Sequence, residues 1–382
     1  MTTFAAAAEK MVDDLRTAAA DIEAARRLPD EWSRRFAKAG FYRLCVPEVY
    51  GGFEAPPMDS MRVVETLARA DGSAAWVVFI GATSGSVLAY LPAEAAAEVF
   101  FNEEVMLSGV FAPRGKADVA DGGFRVNGRW QWGSGTLNAD WVMGGCQVVR
   151  DGVAETMPNG TPRSRMMLVP QSEVEFFDTW DVSGLSGTGS TDFAMNDLFV
   201  PESRAIGLAG GKPLRSPLYA FPQFGLLAMG IAAVTLGLAR AAIDEVVSFA
   251  NAKTPVGSSR TLANRPSTQA DVSSAEAILR SVRGYYYETI EAAYEIAKGE
   301  GRMPVESRCD IRLATTHTVW ECAKAVDLMY HVSGGTSVYR RSPLQRIFRD
   351  VHVATQHMMV APPVRELTGR LFLGLETDTA LL

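Results

Sequence analysis

The sequence predicts a mainly α protein with a central β domain: an N-terminal helical domain over residues 1–104, a small antiparallel β-barrel over 105–210, and a C-terminal four-helix bundle over 211–382. Three observations carry this. Apolar residues recur every three or four positions in the first hundred residues, alternate with polar ones through the middle, and return to the helical period after Pro222. With 382 residues, 47% hydrophobic and 21% charged, the chain is long enough for a substantial core and has the composition of a soluble globular protein.

In the first section the helical period runs from Phe4 to Arg27, and Pro29-Asp30-Glu31 caps a second helix that ends near Gly40. Two more helices are expected, from about Met58 to Arg69 and from Ser73 to Tyr90. The apolar run Ala74–Leu91 is interrupted by Gly81, Thr83, Ser84, Gly85 and Ser86 and stops at Pro92, which reads as a buried core helix rather than a membrane span.

Val105–Phe111 is strand-like, and Gly122-Gly123 opens a hairpin arm from Phe124 to Trp132. Trp141–Val149, Met166–Val169, Val174–Phe177 and Asp192–Val200 continue the alternation, which suggests an antiparallel barrel or sandwich. Asp151–Ser164, rich in Gly, Pro and Thr, is its clearest surface loop. Four helices are then expected: Phe224–Ala250, Ser267–Lys298, Pro304–Val332 and Pro343–Met359. The last has Ser342 as a cap and Pro343 at its first position, and Pro362-Pro363 should halt it.

A net charge of -7 without a basic cluster argues against nucleic-acid and anionic-membrane partners and for a small-molecule one. Cys45, Cys146, Cys309 and Cys322 show no Cys-x-x-Cys spacing, and no secretory pattern opens the sequence, so a cytoplasmic location is expected. His352 and His357 are five residues apart, about 140° around a helix, and His317 and His331 are isolated, so no metal site is expected.

Between two strand-like runs lies Trp180-Asp181-Val182-Ser183-Gly184-Leu185-Ser186-Gly187-Thr188-Gly189-Ser190-Thr191-Asp192. Its three glycines and small hydroxyl residues would let backbone approach a flat or phosphorylated ligand. A dinucleotide fingerprint must lead into a helix, and the residues that follow read as a strand, so a Rossmann unit is excluded.

The order of helices, β section and helical bundle, with these motifs at the joins, resembles the acyl-CoA dehydrogenase superfamily across nearly the whole chain. Within it the chain looks closest to the two-component flavin-dependent monooxygenases similar to 4-hydroxyphenylacetate hydroxylase and dibenzothiophene monooxygenase. The resemblance places Gly128–Gly135 along the flavin ring, with Trp132 as an aromatic surface and Ser134 as a hydroxyl at the ring's polar edge. It assigns cofactor contacts to Thr188 and Ser190, and to Arg260 and Gln269, which in the superfamily reach flavin in a neighbouring subunit. Gly334 and Gly335 match the glycine turn beside the cofactor.

In acyl-CoA dehydrogenases a catalytic glutamate commonly stands near the end of the last helix or early in the bundle. Here Thr355-Gln356-His357-Met358 and Ala220–Gly230 carry no carboxylate, so dehydrogenation lacks its expected base. His357 instead matches the histidine of the oxygenase branch, apt to take a phenolic or indolic proton or give one to a flavin peroxide. Ser84, in the helix after Asp71-Gly72-Ser73, stands where many oxygenases have a second histidine and is the other catalytic candidate.

The resemblance implies reduced flavin, FAD or FMN, delivered by a separate reductase, with O2 adding at C4a and a small aromatic or polyketide-like substrate. It also implies a homo-oligomer, a tetramer built as a dimer of dimers. An FAD-dependent acyl-CoA dehydrogenase and a catalytically silent flavin-binding protein are the alternatives.

Overall fold

The computed structural model describes residues 3–158, 160–207, 211–299 and 303–382. The head contains α1 (Thr3–Glu9), α2 (Val12–Ala25), α3 (Asp30–Lys38), α4 (Pro57–Ala68), α5 (Gly72–Ser84) and α6 (Ala93–Val99). The single helix expected from Phe4 to Arg27 is broken at Lys10–Met11, and the one expected to run to Tyr90 tightens after Ser84 into 3-10 turns over Gly85–Tyr90. Apolar periodicity carries across both changes because the tighter turns bury the same faces.

α5 is the rod on which the site is built. All its residues except Ile80 are buried, and it packs against α4, α7, α10 and β1, so it is apolar around its whole circumference. Asp71 starts it by accepting the Ala74 N–H at 2.7 Å. The apolar segment Gly72–Tyr90 is 94% enclosed by protein, as expected for a core helix.

The strands are β1 (Leu107–Ala120), β2 (Gly123–Trp130), β3 (Trp141–Arg150), β4 (Val153–Ala154), β5 (Ser164–Pro170), β6 (Glu175–Phe177), β7 (Asp192–Pro201) and β8 (Ala205–Ile206). They form one sheet of order β6-β7-β2-β1-β3-β5-β8, with β4 on β3. The expected antiparallel barrel is corrected on two counts: the edge strands β6 and β8 do not pair, so the sheet is open, and β1 runs parallel to β3 from Leu107↔Trp141 onward. Alternation specifies that strands form, not which neighbours they choose. The parallel pair arises because the β1–β2 hairpin and the 131–140 crossover bring the chain back alongside β1. The expected loop at Asp151–Ser164 contains the short strand β4.

The C-terminal part comprises α7 (Gln223–Ala250), α8 (Pro266–Ala297), α9 (Val305–Ser333), α10 (Pro343–Thr355) and α11 (Pro362–Phe372). α9 packs against α7, α8, α10 and α11. Gly230 and Gly237 let α7 press into the head: a Cβ would lie 2.4 Å from the Phe79 ring at the first and 2.4 Å from the Glu65 carbonyl of α4 at the second. Pro362-Pro363 does not halt α10, which has already ended at Thr355, but opens α11, the role proline takes in a first helical turn. Ser342 occupies the cap position of α10 without making a side-chain cap hydrogen bond.

Candidate active site

Three of the expected cofactor residues meet where the loop after β2 touches the loop before β7. Ser134 Oγ lies 2.6 Å from Ser190 Oγ, which lies 2.7 Å from Thr188 Oγ1, and Thr188 donates to the Leu185 carbonyl at 2.8 Å. Each hydroxyl has one proton, so that last bond orders the chain: Ser190 donates to Thr188, and Ser134 to Ser190. From the other side the Trp76 indole N–H donates to Ser134 Oγ at 3.2 Å. Backbone bonds lock the two loops, Gly133 N–H to Thr191 O at 3.0 Å and Gly135 N–H to Thr188 O at 3.1 Å.

Trp76 also joins this cluster to His357, whose ring centroid is 5.8 Å from that of the indole. His357 sits in the turn after α10 rather than within it, since the helix ends two residues earlier. Its Nδ1 accepts the Met359 N–H at 3.2 Å, so the neutral ring carries its proton on Nε2. Burial, with a smaller contribution from the Arg312 charge, pushes its pKa down to about 4.

Trp132 is placed differently from the expectation of a strand tryptophan. β2 ends at Trp130, and it is Trp130 that fills the core, stacked on Phe193 at 5.2 Å and donating to the Gly145 carbonyl at 2.8 Å. Trp132 is 66% exposed and has φ +65°, a left-handed conformation that is unusual for a bulky residue. This leaves a large aromatic ring open to solvent two residues from Ser134.

The glycines of the loop are explained by protein contacts. A Cβ at Gly184 would lie 2.5 Å from the Arg349 carbonyl of α10, and one at Gly187 would lie 2.3 Å from Ile22 of α2. At these two positions glycine is required by the seating of the loop on two helices. Arg26, which caps the end of α2, donates to the Trp180 carbonyl at 2.8 Å, and Arg349 donates to the Ser183 carbonyl. The Leu185 N–H donates to Asp350 Oδ1 at 2.6 Å.

Asp350 is buried, and burial pushes its carboxyl up to about 7 against the Leu185 hydrogen bond, with nearby Asp71 adding to the rise. A carboxyl raised in the fold contributes stability that is fully present only below its ordinary value of 3.8 and is lost progressively as pH rises from there through about 7. Asp350→Asn, which keeps an acceptor for Leu185, is therefore expected to raise Tm clearly more at pH 8 than at pH 5. Thermal melts at the two pH values check this, and equal shifts at both would contradict it.

Ser84 is buried at the last position of α5, two turns beyond Trp76, and no hydrogen bond or ring contact among the described residues links it to the Ser134–His357 group. Arg260, Gln269, Gly334 and Gly335 lie elsewhere. All four are exposed, at the end of the molecule where α7 and α9 finish and α8 begins. There Lys253 donates to the Ser333 carbonyl, and Gln269 donates to the Ala263 carbonyl at 2.9 Å. His357 is beside Arg312, 21 residues from Ser333 along α9, so the two groups are about 30 Å apart at 1.5 Å per residue.

Sequence reasoning did not find Trp76, Asp350 or Arg312. Asp71-Gly72-Ser73 pointed to the helix bearing Trp76, and Asp350 lies inside the segment singled out at the end of the bundle. Arg312 left one local signal, a cation in the apolar stretch Ile311–Ala314.

A helical head, an open sheet and a set of C-terminal helices, with a hydroxyl cluster joined to a neutral histidine through Trp76, give an oxidoreductase of acyl-CoA dehydrogenase architecture. Residues 2–98 match the acyl-CoA dehydrogenase N-terminal domain, and residues 229–362 match the acyl-CoA dehydrogenase C-terminal domain. The chain is 35% identical to an indole-3-acetate monooxygenase of Pseudomonas putida over 96% of its length and 93% of that protein's. The HsaA monooxygenase of M. tuberculosis superposes with a TM-score of 0.89 at 27% identity, over 99% of this chain and 98% of that one. XiaF from Streptomyces sp., solved with FADH2 and glycerol, gives a TM-score of 0.88 at 27% identity over 98% and 95% of the two chains. The chain belongs to the acyl-CoA dehydrogenase family, in the branch of flavin-dependent monooxygenase oxygenase components.

Proposed function

We propose that the chain is an oxygenase component that receives reduced flavin from a separate reductase and uses O2 to oxygenate a small aromatic substrate. The observation that carries this is the pairing of the Ser134–Ser190–Thr188 hydroxyls with a neutral His357 across Trp76. Acidic side chains on the neighbouring elements are committed elsewhere, Asp71 to the Ala74 N–H, Asp350 to the Leu185 N–H and Asp192 to Arg129.

The residues present fit a reduced flavin. Ser134 has its proton directed to Ser190 and keeps lone-pair capacity for a ring N–H, while Trp132 offers an exposed aromatic face. When bound, the flavin supplies the two electrons that activate O2. The chain's own residues orient and shield: Trp76 fixes Ser134, and the buried wall of α5 excludes water. His357 holds a proton at Nε2. With Nδ1 occupied by the Met359 N–H, that role is donation, and of the two roles expected from sequence it is the one the hydrogen bonding supports.

Ser84 ends the same core helix as a second polar group, and the cavity of about 1630 Å3 lined by Tyr90, Phe111, Tyr219, Gln223 and Phe224 is the route we assign to substrate. Arg260, Gln269, Gly334 and Gly335, far from His357 in one copy, are read as contacts to the flavin of a neighbouring copy. The assembly is then a homo-oligomer, a dimer of dimers, associating through the α7–α10 bundle. We place it in the cytoplasm, with domains 1–104, 105–210 and 211–382.

The test couples the purified chain to a flavin reductase with FAD or FMN under labelled O2 and screens indolic and phenolic acids. One labelled oxygen atom in an aromatic product is the expected result. Absence of product, with anaerobic bleaching of bound flavin by an acyl-CoA, would favour the dehydrogenase instead.

A further inference from the structure

Arg312 is one of the largest fully buried side chains in the protein, 1% exposed on the inner face of α9. Buried arginines are normally matched by a carboxylate, because a charge removed from water needs compensation. No carboxylate lies within ion-pairing distance of Arg312 among the described residues. Its Nη1 donates to the Phe224 carbonyl at 3.3 Å and to Met359 Sδ at 3.2 Å, neither of which carries a charge to balance the guanidinium, and its Nε has no partner. One helical turn further along the same face, the Thr316 hydroxyl is also buried and without a partner.

The position of this unmatched charge is specific. Met359 is the residue whose N–H binds His357, so the guanidinium lies against the histidine turn. Phe224 lines the 1630 Å3 cavity, so the guanidinium is hydrogen-bonded on one side to a residue of that wall and on the other to the turn that carries His357. Gln223, the neighbouring residue on the cavity wall, has its own unpartnered Nε2.

We infer that Arg312 receives a carboxylate of the substrate, with the Thr316 hydroxyl as a second donor, so that the enzyme acts on aromatic acids whose ring is held at His357 by a short acidic tether. The inference rests on the proposed function and adds the substrate's charge to it. A planar guanidinium with unused donors matches two carboxylate oxygens, and the surrounding Phe224 and Met359 favour an organic acid over a hydrated inorganic anion. The same pairing completes the electrostatics of the fold only when substrate is bound, which makes the charge a selector against neutral aromatics.

Calorimetric titration of the full chain with a set of arylacetates and arylpropanoates, indole-3-acetate included, each paired with its amide, tests this directly. The acid is expected to bind at least about 30-fold more tightly than its amide, the size expected for one half of a buried charge pair. Arg312→Met, which fills the same space without charge, is expected to abolish that preference while leaving amide affinity within about 3-fold, and Arg312→Lys to keep part of it. Equal affinity for acid and amide, no binding by any acid, or an unchanged preference in Arg312→Met would overturn the inference. A purely structural arginine would instead lower Tm without touching the preference. Oxidation of protein-bound reduced flavin is followed in parallel: if protein still slows it while acid and amide bind alike, only the carboxylate assignment fails, and if protein has no effect, the oxygenase reading fails with it.

Discussion

His357→Ala is expected to lower product formation by about 10²- to 10⁴-fold, the range for loss of a positioned proton donor, while Tm falls by no more than about 2–4 °C. The imidazole makes one backbone hydrogen bond and one ring contact, so its removal leaves the helices of the bundle packed. His357→Gln restores an N–H donor and should recover part of the rate. The pH profile separates this role from that of a titrating base. With its pKa pushed down to about 4, the ring is neutral from pH 6 to 8, and the rate should show no inflection there from His357. Because this pKa is depressed in the fold, the associated stability is present above the ordinary histidine range and is lost as pH falls toward 4. Loss of folding in step with activity, or an inflection between pH 6 and 7 that disappears in His357→Gln, would contradict the donor assignment.

Gly184→Ala is the second large effect. The added methyl would come within 2.5 Å of the Arg349 carbonyl and 2.9 Å of the Asp350 amide nitrogen, both backbone atoms of α10 that cannot swing aside. The loop must lift from the helix, and it carries with it the Leu185 N–H bonded to Asp350 and the Thr188–Ser190 pair bonded to Ser134. Overpacking of this kind costs about 1–3 kcal/mol. We expect a lower Tm together with a weakened dissociation constant for reduced flavin, measured by anaerobic fluorescence titration. An alanine variant with unchanged flavin affinity would show that the seat of this loop on α10 does not organise the hydroxyl cluster.

The helices and strands were legible because periodicity reports burial, and in this protein most faces are simply buried or exposed. What it could not report was pairing: β1 alternates as an antiparallel strand would, yet its parallel partner β3 is fixed by the hairpin and crossover between them. Within the site, Ser134, Thr188, Ser190 and His357 could be picked out by motif, and the structure brings the three hydroxyls into direct contact with one another. Trp76, which connects them to His357, sits in a helix apolar on every side and so has no periodic signal. Trp130 and Trp132 show the limit most clearly. Two residues apart in one motif, the first is a core ring and the second an exposed one, and the difference is a left-handed φ at position 132 that composition does not announce.

The central claim is that this chain controls the reaction of reduced flavin with oxygen. Stopped-flow absorbance after mixing the protein and chemically reduced FAD or FMN with oxygenated buffer tests it most directly. The account predicts that oxidised flavin forms much more slowly than in the absence of protein, through a resolved transient whose decay changes when an aromatic acid is present. Oxidised flavin appearing at the rate of free flavin, with and without aromatic acids, would contradict it.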